Sequence, residues 1–479
     1  MNKKMDIFAR TRDVSFLSVL FLTGCLDNGP TPTTSTPPPP PPPPTASELL
    51  QDAIHAVSDG QGLDAFILPE SSDLASIPQD PNNPLTEEKV LLGQMLFHET
   101  AIATKGVHGD MTGTWSCASC HHADAGFKSG VAQGIGEGGS GFGQAGEGRV
   151  LADGFDKDSM DPAFVPDVQP LASPSILNTA FQEVMLWNGQ FGNMQGGLVN
   201  AGLEENVLAP ANTPKAENTR MLAGLETQAI AGTAVHRLNT SEDSVLQTNM
   251  EYQLLFEAAY PDGSADVLED ASKAIAAYER TVLANQAPFQ QWLRGDDSAM
   301  TADEIAGANL FFGKAQCVSC HNGAALSSKV GASEAEVFMA IGFADFDTNN
   351  PAITGGVAVA DSKGRGGFTG EAEDDYKFKV PQLYNLADTA VFGHGASFTS
   401  IRDVVAYKNA GVPQKVIPSE QLDSRFTPLG LTEEEIDQLV EFLENALYDS
   451  NLDRYKPDAL PTGACFPVAD DAAKMDLNC

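Results

Sequence analysis

A mainly α-helical chain of two domains is the fold class the sequence predicts, and three observations carry it. The pentads Cys117-Ala118-Ser119-Cys120-His121 and Cys317-Val318-Ser319-Cys320-His321 stand 200 positions apart (317 minus 117), one in each half. Upstream of each, and again near the C-terminus, apolar residues recur at helical spacing behind a threonine placed as an N-cap. A chain of 479 residues, 42% of them hydrophobic, buries two ordinary cores and is too long for one small domain.

Residues 1–25 have the layout of a signal peptide: Lys3, Lys4, Arg10 and Arg12 lead into an apolar run over 14–22, too short to span a membrane permanently. Its ending, Leu22-Thr23-Gly24-Cys25, resembles a bacterial lipobox, which implies that Cys25 becomes the lipid-bearing first residue of the mature protein. A proline-rich linker over 26–46 follows, with eight consecutive prolines at 37–44. Such a run holds an extended polyproline II helix of about 3.1 Å per residue and works as a semi-rigid spacer. Tether and spacer together suit a soluble enzyme held off a membrane; a proline-rich ligand for a partner domain is the rival reading.

The domains expected are 47–290 and 291–455, with a polar tail at 456–479. Thr86 opens a helix over 86–97, with Glu87 and Glu88 in its first turn and Val90, Leu91, Met95 and Leu96 supplying a face. Thr301 and Glu304 are spaced as a capping box before a helix over 301–312, and Thr432 with Glu435 repeats the device before Ile436, Leu439, Val440, Leu443 and Leu447. The glycine-rich stretch 126–148 satisfies G-x-G-x-x-G at 134–139, but no strand precedes it and no amphipathic helix follows. A flexible loop is therefore expected there, not a dinucleotide site. Cys465 and Cys479 are placed to close a short structural disulfide. No repeat is visible beyond the pentads; His122 is expected to be exposed, and His55, His98 and His108 carry no motif.

Each Cys-x-x-Cys-His reads as a site of covalent c-type haem attachment. The two thiols reach the two vinyl groups of a porphyrin, and the adjacent imidazole binds iron from the proximal side. Zinc would want the second cysteine pair some 15–20 residues from the first, and a thioredoxin-like motif needs no adjacent histidine. Two haem c groups follow, held by Cys117, Cys120 and His121 and by Cys317, Cys320 and His321. Since c-type haem is attached outside the bacterial cytoplasm, the expected location is the periplasmic side of a bacterial membrane. The 28 Lys and Arg against 65 Asp and Glu leave a net charge of −37, which argues against nucleic acid or an anionic membrane surface as the main partner. An acidic surface steers a basic electron donor or simply keeps the protein soluble.

Over residues 75–450 the chain resembles the bacterial dihaem cytochrome c peroxidase family, which includes the MauG-like enzymes. The resemblance rests on motifs in a fixed order. Asn83-Pro84-Leu85-Thr86 leads to Leu92-Gly93-Gln94-Met95-Leu96-Phe97 and the first pentad, and Pro174-Ser175-Ile176-Leu177-Asn178 leads to Leu186-Trp187-Asn188-Gly189. The second pentad then precedes Asn322-Gly323, Lys379-Val380-Pro381-Gln382-Leu383-Tyr384-Asn385, His394 and the last capped helix. The resemblance implies two cytochrome c-like haem domains, a peroxidatic haem in the first, an electron-transfer haem in the second, and a calcium ion near their interface. It also implies that Trp187 lies between the haems, where an aromatic ring relays an electron or hole; buried packing is its plainer role.

Three departures stand beside the matches. The family's Trp-Asp-Gly-Arg is Trp187-Asn188-Gly189-Gln190 here, so the arginine expected near the first haem is missing. The family's distal glutamate should follow Gln228-Ala229, yet Ala234-Val235-His236-Arg237-Leu238 holds no carboxylate. The distal methionine of the electron-transfer haem falls on Lys408, with Tyr407 beside it.

Reduction of peroxide needs a group that moves a proton between its oxygens, and His236 suits this, with Arg237 to stabilise negative charge. His236 as an iron ligand, or as a structural histidine, are its other readings. Lys408 binds the second iron only as a neutral amine. The expectation is a peroxidase that passes electrons from the second haem past Trp187 to the first. Its partners would be hydrogen peroxide and a donor cytochrome or cupredoxin, and a homodimer is compatible. The alternatives are a MauG-like oxidase of a protein or small molecule, and a dihaem electron carrier without turnover.

Overall fold

The computed structural model describes residues 42–192, 222–346, 353 and 358–479, which pack as one compact unit beginning at Pro44. The lipobox with Cys25 and nearly all of the linker lie outside the described residues. Helices dominate: numbering those of six residues or more, α1 is Ala46–Val57, α2 Glu87–His98, α3 Gly224–Val235, α4 Met250–Ala259 and α5 Val267–Thr281. Then come α6 Pro288–Leu293, α7 Ala302–Phe312, α8 Ile401–Ala410, α9 Glu433–Glu441 and α10 Asp471–Leu477. The described strands are three antiparallel pairs of two residues each, Gly139–Ser140 with Val150–Leu151, Val184–Met185 with Phe191–Gly192, and Phe338–Met339 with Phe378–Lys379.

The three expected caps form. Thr86 accepts from the Lys89 N–H, and Thr301 with Glu304 and Thr432 with Glu435 close reciprocal capping boxes. These satisfy amide donors that the first helical turn leaves orphaned.

The two halves repeat one design well beyond the pentads. In the first, α2 crosses α5 so closely that a Cβ on Gly93 would lie 1.8 Å from the Ala274 carbonyl oxygen. In the second, α7 crosses α9 in the same way, and a Cβ on Gly307 would lie 1.9 Å from the Gln438 carbonyl oxygen. Each pentad then makes a 3₁₀ turn, at Cys117–Ser119 and at Cys317–Ser319. Pro174-Ser175-Ile176-Leu177-Asn178 and Pro381-Gln382-Leu383-Tyr384-Asn385 both end on a left-handed asparagine, φ 61° and 54°. Each asparagine ties off the last helix of its half. The Asn178 N–H donates to the Val282 carbonyl, and its Oδ1 accepts from the Ala284 N–H. The Asn385 N–H donates to the Leu447 carbonyl, and its Oδ1 accepts from the Asp449 N–H. Asparagine suits the place because it tolerates positive φ and carries a short acceptor.

Chain ends cross between the halves. Helix α1 packs on α7, where the Asn309 amide donates to the Ala46 carbonyl and Trp292 Nε1 to Ser47 Oγ. The tail returns to the first half, closed by the expected Cys465–Cys479 disulfide. There Ser116 Oγ and Ser119 Oγ both donate to the Pro467 carbonyl, covering the first pentad.

Two expectations are corrected here. The glycine-rich stretch is not a free loop: Arg149, 2% exposed, donates to the carbonyls of Ile135, Gly136 and Gly141 and pairs with Asp470 of the tail at 2.7 Å. A buried guanidinium needs that many acceptors, and the glycines leave room for it. His122 is buried, not exposed, with its ring edge-on to Phe142 at 4.9 Å, because the loop and tail fold over it.

Candidate haem sites

Both pentads place their histidines alike. His121 Nδ1 faces the Phe127 carbonyl at 3.4 Å, with the Pro174 carbonyl also in reach, and His321 Nδ1 faces the Leu326 carbonyl at 2.7 Å with that of Pro381. Phe127 and Leu326 hold positive φ, 57° and 47°, which turns those carbonyls inward. A hydrogen bond at Nδ1 fixes the tautomer and leaves Nε2 free for iron. Burial pushes both imidazoles down to about 4, so each is neutral near pH 7, as a metal ligand must be. In the first site a Cβ on Gly134 would lie 2.6 Å from Cys120 Sγ, so only glycine leaves that sulfur room. These residues fit two covalently attached haems.

The second site opens into a cavity of about 370 Å³ beside Cys317, Cys320 and His321. Lys408 lines it from α8, its Nζ 5.4 and 5.5 Å from the ring centres of Phe343 and Phe426. Burial lowers this amine to about 8. Neighbouring Tyr407 turns elsewhere and donates its hydroxyl to the Ile341 carbonyl. Of the two candidates, Lys408 is the one on the cavity wall.

Around the first site, His236 caps the C-terminus of α3 and sets its Nδ1 2.8 Å from Asp167 Oδ2. Its Nε2 lies 3.4 Å from the Gln169 amide nitrogen, and its carbonyl accepts from Trp115 Nε1 at 2.8 Å. Burial alone would lower this imidazole, but the Asp167 carboxylate more than offsets that and raises it above the ordinary 6.5. Its charge in turn depresses His121, and Asp167 acts on Cys120. Asp167 and Gln169 carried no signal in the sequence, because they stand alone in an irregular loop far from their partner. Arg237, at φ 58°, pairs with the fully buried Glu137 and donates to the Val165 carbonyl at 3.2 Å.

Trp187 lies on the wall of the second cavity and reaches toward the first site. Its Nε1 donates to the Ala172 carbonyl at 2.7 Å, two residues before the Pro174 that His121 approaches. Its ring meets His394 edge-on at 6.4 Å; His394 stacks on Phe378 at 3.7 Å and bonds Asp345 through Nε2 at 3.0 Å. The turn that lacks the family's arginine is held by another: Arg365, fully buried, donates to the carbonyls of Asn188 and Gly189 and pairs with Glu334.

Among the described residues no three His, Cys, Asp or Glu side chains gather to hold a metal, and the cavity wall that carries Trp187 also carries the lysines Lys128 and Lys379.

Comparison with known proteins bears on the family and the fold. The family model of di-haem cytochrome c peroxidase matches residues 87–298. The chain is 26% identical over 372 residues to the methylamine utilization protein MauG of Methylorubrum extorquens, across 77% of this chain and 81% of that one. It is 27% identical over 395 residues to the cytochrome-c peroxidase IdrP1 of Denitromonas iodatirespirans, across 78% and 86%. A solved MauG-like protein associated with microbial copper homeostasis shares the fold, at TM-score 0.53 and 24% identity over 80% of this chain and 95% of that one.

Proposed function

We take as premise that the chain belongs to the dihaem cytochrome c peroxidase and MauG-like family, and propose that it reduces hydrogen peroxide at the first haem with electrons entering through the second. When bound, the haem would supply the redox chemistry, two electrons and two protons converting each peroxide to two waters. The observation that carries the assignment is the Asp167–His236 pair. With Nδ1–H held by the carboxylate, Nε2 keeps its lone pair and can take a proton from one peroxide oxygen and return it to the other. Asp167 is the positioning residue of this pair. Arg237, already neutralised by Glu137, serves to hold the 137 and 165 segments in place beside Asp167.

Trp187 is the relay, supported by its place on the second cavity and its bond toward the segment that meets His121. Lys408 would hold the second haem iron as a neutral amine, supported by its place on the cavity wall that His321 also lines and by a burial that lowers the amine to about 8. The donor is a small cytochrome or cupredoxin. The mature protein is held on the periplasmic side by lipid at Cys25; among the described residues no helix is long and apolar enough to cross a membrane.

Steady-state peroxide consumption by holoprotein with a reduced donor tests the assignment. His236→Ala is expected to lower kcat/KM by about 10²–10⁴, the range for a lost acid–base group. An unchanged rate removes His236 from the mechanism. Peroxide turnover that needs no reduced donor would move the protein to the MauG-like oxidases, and half-reduced protein with only low-spin haem would make it a carrier.

A further inference from the structure

Six cationic side chains line the second cavity: Lys128, Lys314, Lys379, Lys408, Lys415 and Arg425. Three have carboxylate partners, Lys314 with Glu435 at 2.6 Å, Lys415 with Asp345 at 2.6 Å and Arg425 with Asp423 at 2.8 Å. Lys408 is the ligand proposed above for the second iron. Lys128 and Lys379 have neither role. Lys128 Nζ donates to the Val391 carbonyl at 3.1 Å and stands 6.0 Å from the Phe392 ring centre. Lys379, 9% exposed, donates to Gln182 Oε1. Burial pushes both ammonium groups down to about 8, and among the described residues neither has a carboxylate within ion-pair distance.

An ammonium drawn partly or wholly out of water without a carboxylate partner is unfavourable, so a cavity that retains two of them suits a counter-charge that arrives from elsewhere. The cofactor brings it. A haem joined to Cys317 and Cys320 through its vinyl groups carries two propionates on the edge of the ring away from both thioethers. We propose that Lys128 and Lys379 form a cationic clamp on the propionates of the second haem. The inference rests on the two-haem reading. The clamp also joins the halves, since Lys128 extends from the first pentad's loop to Val391, and the Lys379 N–H donates to the Trp187 carbonyl at 2.8 Å.

Ferric haem is one charge more positive than ferrous haem, so free propionates favour the ferric state and clamped ones favour it less. Potentiometric titration of the holoprotein, read at the second haem's visible band, tests this whether or not peroxide turns over. Lys128→Met and Lys379→Met should each lower the ferrous-to-ferric ratio at fixed potential about tenfold, about 59 mV for a one-electron couple. Lys379→Arg should stay near wild type, and a calcium chelator should leave the wild-type titration unmoved. Unshifted midpoints in fully loaded Met variants, or a chelator that reproduces the shift, overturn the clamp. Should the Met variants fail to load haem, resonance Raman of Lys379→Arg and wild type decides: a propionate-bending band that moves with the exchange supports it, and one that stays fixed overturns it.

Discussion

With Nδ1 on Asp167, the His236 imidazole holds a proton more tightly than a free histidine, and its base form appears only above the ordinary 6.5. The kcat/KM for peroxide should therefore rise with pH through an inflexion above that value. Asp167→Asn removes the carboxylate and leaves burial as the dominant influence, so the inflexion should fall below 6.5; a pH–rate profile of the two proteins checks the direction. The same pair contributes stability that is fully present below the unfolded value near 6.5 and is lost as pH rises through the folded one. At this scale the sequence singled out His236 as a candidate but not its partner, because the two stand 69 positions apart (236 minus 167). His122 misled for a related reason: a second histidine beside the pentad reads as polar surface until the tail that buries it is placed.

Helix crossings put glycine where nothing larger fits. A methyl group on Gly93 or Gly307 would sit under 2 Å from a carbonyl oxygen of the facing helix, so either helix must shift. Gly93→Ala and Gly307→Ala should each destabilise by about 1–3 kcal/mol, the cost of overpacking, visible as a lower denaturation midpoint of the half concerned. Asn178→Ala and Asn385→Ala should each cost about 1–3 kcal/mol, through a left-handed backbone and an N–H left unpaired at Ala284 or Asp449. Chemical denaturation of the four variants checks both sets. The caps at Thr86, Thr301 and Thr432 were legible in the sequence because donor and acceptor lie three residues apart. The shared Pro-to-Asn spacing was equally present, but its meaning lies in bonds to helix ends 64 and 106 residues away.

Across the whole molecule, the ends of the chain work on the opposite halves: α1 braces α7, and the tail lies over the first pentad. The Cys465–Cys479 bridge closes a loop with a sequence separation of 14. A loop of that size is worth about 3 kcal/mol in chain entropy. Replacing both cysteines with serine should lower stability by about that much, with the first haem's absorption changing at lower denaturant than the second's. Simultaneous loss of both bands would show that the tail braces the whole unit instead. The acidic surface makes a further difference measurable: with a basic cytochrome as donor, turnover should fall as salt is raised, as steering by opposite charge requires. The paired pentads and the capped helices around them were readable; the exchange of ends was not, since nothing local marks which core a terminal segment will join.

The segment that shuts the first pentad stands 351 and 348 positions beyond the serines it covers, so the pentad is made before its lid. A chain that has not yet reached Pro467 and Arg149's partner Asp470 leaves Ser116 and Ser119 without that acceptor and the thiols beside them without that cover. Closure of the first pocket thus waits on a distant stretch of the same chain.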